Sequence, residues 1–454
     1  MSFLYSVLGF LIAIAVLVAV HEFGHFWVAR KLGVKVLRYS IGFGKPLWKK
    51  VAGDDQIEYV IAAIPLGGYV KMLGEGSGEE IDPSEKHRAF DNQPIWKRSL
   101  IVAAGPGINF LFAIFLFMLL GMATEERVIP VFGEFSQTSV AAKAGIMPGE
   151  TLLAVDNKPV RHLLEHDWYI INQVLRGKPI ELLIQNNHGV ERLVSLETAN
   201  IPIYNINPST MMRQLGLVGI APPTTNQVGQ VLVDSPAAAA GLLEGDRFVS
   251  INGVKINSWQ DLRDSVSPSA GQTLAFVIDR NGVEFDVNIA PKAVNVNDKQ
   301  VGQLGVGGTY TSYLDHQIVR FSRNPIQAFS YGIERTWQMS TLTLRMLWKM
   351  ITFQVSSKNV SGPITIADAA GQAIQINWQS YVYLLAIVSI SLGVMNLLPI
   401  PMLDGGHLLM YTIEIVAGRT VAENFFVVGQ KIGLFLLLCL MTLAFYNDFF
   451  RLLN

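Results

Sequence analysis

From Ser99 to Ala123 the chain runs without a single charged residue, flanked by Lys97-Arg98 on one side and Glu125-Glu126-Arg127 on the other. A stretch of that length and polarity spans a bilayer as a helix, because lipid offers no partner for an exposed backbone. Three more segments have the same character. They are 1–30, where Val7 to Val20 is unbroken and apolar, 380–398, and 425–447, where Lys431 sits near the start and can snorkel. Residues 1–30 lack a basic segment ahead of the apolar run, so they read as a retained helix and not a cleaved signal peptide. The expected fold is a polytopic α-helical membrane protein of four transmembrane helices carrying soluble attachments. Composition agrees: 50% of the 454 residues are hydrophobic and only 16% charged, too apolar for an ordinary soluble protein and too polar for spans alone.

Charge then orients the chain. Residues 31–98 hold Lys31, Lys35, Arg38, Lys45, Lys49, Lys50, Lys71, Lys86, Arg88, Lys97 and Arg98, a density that marks a cytoplasmic loop. Both termini and the long insert between the second and third spans are then expected outside. The first and third spans run parallel, and their ends meet on the cytoplasmic side. The net charge of −1 and the lack of a basic patch interleaved with aromatics argue against nucleic acid as a partner. The one cysteine, Cys439, excludes an intrachain disulfide and a thiolate metal cluster.

Directly after Val20 comes His21-Glu22-Phe23-Gly24-His25. On a helix, i and i+4 share a face, so His21 and His25 can aim at one metal while Glu22 reaches a water held there. Histidines and a carboxylate are costly in lipid and mark function. A catalytic zinc takes three protein ligands, and Asp404, in the Leu403-Asp404-Gly405-Gly406 turn (403–406) that follows the third span, stands at the same depth. His407 is the competing third ligand. Glu22 is the expected general base and proton donor. Zn2+ is the expected cofactor, with divalent iron or cobalt suited to similar ligands.

These residues resemble the site-2 protease family of intramembrane zinc metalloproteases, whose patterns are HExxH and NxxPxPxLDG. The second is matched by Asn396, Pro399, Pro401 and Leu403-Asp404-Gly405. Gly105-Pro106-Gly107-Ile108-Asn109 is similar to that family's Gly-Pro-x-x-Asn segment, and Ser361-Gly362-Pro363-Ile364 to its Ser-Gly-Pro segment. The resemblance implies a protease of the bacterial inner membrane with a periplasmic insert. The implied substrate, in the sigma-E stress response, is a transmembrane anti-sigma factor first shortened by another protease, with signal-peptide remnants as a second class. Asn396, Pro399 and Pro401 are expected among the substrate-binding residues, Asn396 holding substrate backbone; Asn109 either does likewise or only packs the second span on the first.

The insert is internally duplicated. Ser139-Val140-Ala141-Ala142-Lys143-Ala144-Gly145 through Asp156-Asn157 is echoed by Ser235-Pro236-Ala237-Ala238-Ala239-Ala240-Gly241 through Asn252-Gly253, offset by 96 residues throughout. Each copy resembles a PDZ domain, at 125–220 and 221–312, a fold that takes an extended peptide as an added strand. Residues 320–353 read as an amphipathic interfacial helix, or equally as a helix packed on a domain. Within the cytoplasmic loop, about 55–74 reads as two β-rich arms around Pro65-Leu66-Gly67-Gly68, a re-entrant hairpin whose edge captures an unwound substrate strand, with Gly67 and Gly68 among the binding residues. Two other functions stay open: a PDZ scaffold anchored in the membrane without catalysis, and a membrane-anchored zinc protease that cuts outside the bilayer.

Overall fold

The computed structural model describes residues 2–453 except 77–80, 205–207, 223, 297–298, 312 and 361. Among the described residues, four helices are long and apolar enough to cross a membrane. They are α1 (Ser2–Lys31), α2 (Ile95–Met122), α10 (Trp378–Leu397) and the greater part of α12 (Arg419–Leu453). The last exceeds the expected 425–447 at both ends. Contacts fix their directions. Tyr381 Oη donates to the Gly9 carbonyl at 2.7 Å, and Asn396 lies beside His21, so α10 runs parallel to α1. Gly24 packs on Ala104 while His21 meets Asn109, so α2 runs the other way. A Cβ on Gly24 would lie 2.3 Å from the Ala104 carbonyl oxygen, which is why the helices approach so closely there.

Between α1 and α2 the chain makes two long strands, β1 (Val36–Ala52) and β2 (Ile57–Met72), joined by a turn at 53–56. Bulges break them into four arms, whose spatial order follows from the register: 46–52, 57–62, 38–41, 68–72. This corrects the expected hairpin at 55–74. Its two arms do not pair with each other, because 38–41 lies between them, and the sheet begins at Val36. The strongly basic composition of 38–50 had masked a β-pattern whose buried face is short. Tyr39 Oη donates to the Ala19 carbonyl at 2.7 Å, which pins the sheet along α1. Val36, Ile57, Val70 and Met72 pack there with Phe26 and Ile101.

The insert opens with β3 (Glu125–Val128), paired with β16 (Ile318–Phe321), so the two chains leading to and from the insert form one ribbon. Residues 125–128 therefore stand apart from the first repeat, a correction to the expected 125–220. The first unit comprises α3 (Val140–Lys143), β4 (Thr151–Val155), β5 (Lys158–Pro159), α4 (Asp167–Arg176), β6 (Ile180–Gln185), β7 (Glu191–Leu196) and α5 (Pro208–Leu215), with sheet order β5-β4-β6-β7. The second contains β8 (Thr224–Val231), α6 (Pro236–Ala239), β9 (Arg247–Ile251), β10 (Val254–Lys255), α7 (Trp259–Val266), β11 (Leu274–Arg280), β12 (Val283–Ile289) and β15 (Val306–Tyr310), in the order β12-β11-β9-β8-β15 with β10 on β9. A hairpin, β13 (Lys292–Val296) and β14 (Lys299–Gln303), precedes β15.

The duplication extends to individual bonds. Arg192 donates to Glu150 and to the Gly145 carbonyl; Arg280 donates to Asp246 and to the Gly241 carbonyl, both carbonyl contacts at 2.8 Å. Asp156 and Asn252 sit at φ 47° and 49° in the matching turns. Asp246 is almost wholly buried. Burial raises its pKa, but the Arg280 guanidinium and the Leu243 N–H outweigh that and hold the carboxyl below its ordinary value. Its contribution to stability is thus present above the unfolded pKa of about 3.9 and lost as pH falls through the lower folded value. Arg280→Ala leaves that carboxylate buried without its cation, and should weaken the second unit by about 2–3 kcal/mol. Hydrogen exchange on the whole chain would read this as lost protection in β9 and β11 while β4 and β6 keep theirs.

α8 (Pro325–Ile351) follows. Ala328, Gly332, Thr336 and Met339 face inward, and a Cβ on Gly332 would lie 2.5 Å from the Ile114 carbonyl oxygen of α2. Arg335 reaches Asp167 and Arg345 reaches Asn172, both on α4, so this helix is packed on a domain and on a span together. Its outer row, Ile326, Phe329, Ile333, Trp337, Trp348 and Ile351, is exposed. The helix is shorter than the expected 320–353 because β16 takes the first residues. α9 (Pro363–Ile376) comes next, its N-terminus capped by Asp448 of α12, whose carboxylate accepts from the N–H groups of Gly362, Ile364 and Thr365. Ser361 lies outside the described residues. Lastly α11 (Asp404–Ala417) starts where a turn at 403–406 was expected. Asp404 favours a helix N-terminus, and the two glycines allow close approach: a Cβ on Gly405 would lie 2.2 Å from the Leu398 carbonyl oxygen, and one on Gly406 2.5 Å from that of Ile400.

Candidate active site

The last three turns of α1, the middle of α2, the end of α10 and the start of α11 converge on one point. His21 and His25 project from α1 towards α2, with their Nε2 atoms 3.3 Å apart. Asp404 Oδ2 stands 3.3 Å from His21 Nε2 and 3.6 Å from His25 Nε2, and is buried with no hydrogen-bond partner outside these two rings among the described residues. Among the described residues these three form the one His/Cys/Asp/Glu group close enough to hold a metal. Four ligands at about 2.0–2.1 Å from a tetrahedral zinc stand roughly 3.3–3.4 Å from one another. The observed edges have that size. A buried carboxylate oxygen and two imidazole nitrogens facing one another at these distances make a donor set that fits zinc. His407, the competitor, lines the same cleft but is not in this triangle.

Each imidazole is oriented from behind. His25 Nδ1 donates to the Ile101 carbonyl at 2.9 Å, which leaves Nε2 as the free lone pair. Pro106, inside α2, lacks the N–H that would pair with the Val102 carbonyl one turn back. His21 Nδ1 faces the Asn109 side chain at 3.1 Å. Gly105 lets the rings in: any Cβ there would lie 2.1 Å from His25 Nε2 and 2.8 Å from His21 Cε1.

Glu22 is 8% exposed and points away from the triangle's back, towards the sheet. Gly68 lies against it; a Cβ on Gly68 would fall 2.9 Å from Glu22 Cγ and 2.6 Å from the Ser40 carbonyl oxygen. Gly67 has φ 136° and packs under the Phe43 ring. Arm 68–72 is thus the wall of the cleft beside Glu22, and its outer edge pairs with no other strand among the described residues. Asn396 Nδ2 lies 3.4 Å from His21 Nε2 on the opposite wall. Pro399 and Pro401 stay out of the cleft lining, and Pro401 backs onto Gly429 and Gly433 of α12. Asn109 is fully buried behind His21.

The cleft, of about 900 Å³, continues from the triangle past Glu75, Asp91, Arg98 and Glu414. Arg98 is 6% exposed, donates to Glu414 at 2.8 Å and lies over the Tyr411 ring. By sequence alone Arg98 reads only as part of a charged flank, and its partner Glu414 sits on α11, where the sequence suggests a turn. A basic residue at a span's end with an i, i+3 pair of Tyr411 and Glu414 downstream was the available signal.

The sequence matches the profile of peptidase family M50 over residues 9–440. A protein of Escherichia coli (strain K12) named regulator of sigma-E protease RseP is 38% identical over the full length of both chains, and so is one of Haemophilus influenzae named regulator of sigma E protease. A protein of Vibrio cholerae named as a zinc metalloprotease is also 38% identical over 99% of each chain. Among solved structures, the PDZ domain of an SdrC-like protein of Listeria monocytogenes aligns with 18% of this chain and 84% of that one, at 23% identity and a TM-score of 0.17.

Proposed function

The chain belongs to peptidase family M50, the site-2 type of zinc metalloprotease, and on that premise we propose that it hydrolyses a peptide bond inside the transmembrane segment of a single-span membrane protein. The observation that carries this is the His21–His25–Asp404 triangle, sized for zinc and built from the ends of apolar helices long enough to span a bilayer. When bound, zinc supplies Lewis acidity that polarises the scissile carbonyl and acidifies water. Glu22 takes a proton from the attacking water and gives it to the leaving amine, so one water and one peptide become a carboxylate and an amine. Asn396 Nδ2 donates to the substrate backbone from the far wall. The open edge of 68–72 receives the unwound substrate as an added strand, with Gly67 and Gly68 leaving room for its backbone. Pro399 and Pro401 act indirectly, by setting the turn between α10 and α11. The polar walls at Glu75, Asp91, Arg98 and Glu414 support water access from the side that the basic loop assigns to the cytoplasm.

Relatives named regulators of sigma-E protease support an anti-sigma factor as the substrate class. In this reading the substrate reaches the enzyme already shortened by another protease, and the paired insert units, as tandem PDZ-like domains on the periplasmic face of a bacterial inner membrane, filter what arrives. Signal-peptide remnants form a second class. A membrane scaffold without catalysis is disfavoured by Glu22 standing intact beside the ligands.

The test uses the whole purified chain and a single-span reporter substrate. Fragment ends are expected to map within the span, and Asp404→Ala to lose its zinc and cut at background rate. Ends outside the span overturn the intramembrane reading; a full zinc complement in Asp404→Ala overturns the ligand assignment.

A further inference from the structure

We propose that Asn109 is a positioning residue, its amide selecting the His21 tautomer that binds zinc; this rests on the ligand assignment above. Asn109 is wholly buried in α2. Its Nδ2 stands 3.1 Å from His21 Nδ1, while its Oδ1 is buried without any hydrogen-bond partner. A side-chain amide held in an apolar interior with only one of its polar atoms paired is costly, so the arrangement calls for a reason.

The reason lies in the two edges of one imidazole. With Nδ2 donating to Nδ1, the His21 proton sits on Nε2, directed at Asp404 Oδ2 at 3.3 Å, and no lone pair faces a metal. Turning the amide by half a rotation presents Oδ1 to Nδ1. That carbonyl can only accept, so the ring proton moves to Nδ1 and the Nε2 lone pair is freed towards the triangle. The rotation pairs Oδ1 with the ring in place of Nδ2. His25 has a fixed acceptor of the same kind in the Ile101 carbonyl, whereas His21 meets an amide that serves both tautomers. The backbone holds the group in place, since the Asn109 carbonyl accepts from Ser389 Oγ at 2.8 Å. Asn109 therefore acts through His21 and does not touch substrate.

Two variants test this. Asn109→Leu keeps the volume and removes the acceptor; zinc affinity, measured by competition with a chelator on the whole detergent-solubilised chain, should fall about 10–100-fold. Asn109→Asp keeps an acceptor at Oδ1 and should retain affinity within a few-fold of wild type, whatever its cleavage rate. A role only in packing α2 on α1 predicts that both variants bind zinc alike, and that result overturns the proposal, as does undiminished affinity in Asn109→Leu. If Asn109→Leu does not fold, weak zinc binding by Asn109→Asp is the overturning result. Asp404→Ala run in parallel separates the two failures: zinc lost there but kept in Asn109→Leu sinks this inference alone.

Discussion

Glu22→Gln is expected to lower the cleavage rate by roughly 10³–10⁴-fold while the protein keeps its zinc. Glutamine preserves the volume of the side chain and its packing against Gly68, so the wall of the cleft stays as it is. What it removes is the capacity to take a proton. The three atoms of the triangle belong to other residues, none of which bonds to Glu22, so metal content should be that of the wild type. Glu22→Asp keeps the chemistry but draws the carboxylate back by one methylene, and should fall between, at about 10²-fold loss. Cleavage of a single-span reporter and zinc content, measured on the same preparations, decide the matter. Unchanged cleavage in Glu22→Gln sinks the general-base role; loss of zinc along with cleavage transfers the residue from chemistry to metal binding.

The spans and the meeting of His21, His25 and Asp404 were legible in the sequence, the spans from local signals and the meeting from a local motif joined to the parity of spans. Uncharged runs dictate membrane helices, i and i+4 histidines share a helix face, and the parity of spans brings Asp404 to the depth of His21 although the two are far apart in the chain. The sheet was only half legible. Ile57 to Met72 alternates well enough to read as β, yet its partner, Val36–Ala52, carries Lys45, Lys49 and Lys50 and looks like a solvated loop. Pairing across a bulged register is a tertiary fact that no single-strand pattern encodes. α11 was missed for a different reason. Two glycines and two prolines nearby are turn signals by propensity, but here Gly405 and Gly406 serve close backbone approach, a demand set by α10 and invisible from composition. Asp448 capping α9 across a long stretch of chain, and Arg98 paired with Glu414, are contacts of the same non-local kind.

Gly105→Ala should remove zinc and cleavage together, although the substitution adds one methyl to a helix and alanine is the better helix former. The new Cβ would stand 2.1 Å from His25 Nε2 and 2.5 Å from its Cε1, and 2.8 Å from His21 Cε1. Relief by a rotamer change is blocked on both sides. His25 Nδ1 is held by the Ile101 carbonyl on the same helix as Gly105, and His21 is backed by the fully buried Asn109. Nor can the helices separate cheaply, since Gly24 already rests on the Ala104 backbone one residue away. The rings must therefore leave the triangle, by more than the roughly 0.5 Å that a ligand constellation tolerates. The expected result is zinc affinity down by at least about 100-fold, with the chain still folded, because the cost falls on two side chains and not on the spans. Gly107→Ala, two residues along on the same helix, is the control: nothing lies within 4 Å of a Cβ there, and both zinc and cleavage should persist. Stoichiometric zinc in Gly105→Ala would show that the imidazoles approach the metal from another direction, and with it the proposed triangle would have to be redrawn.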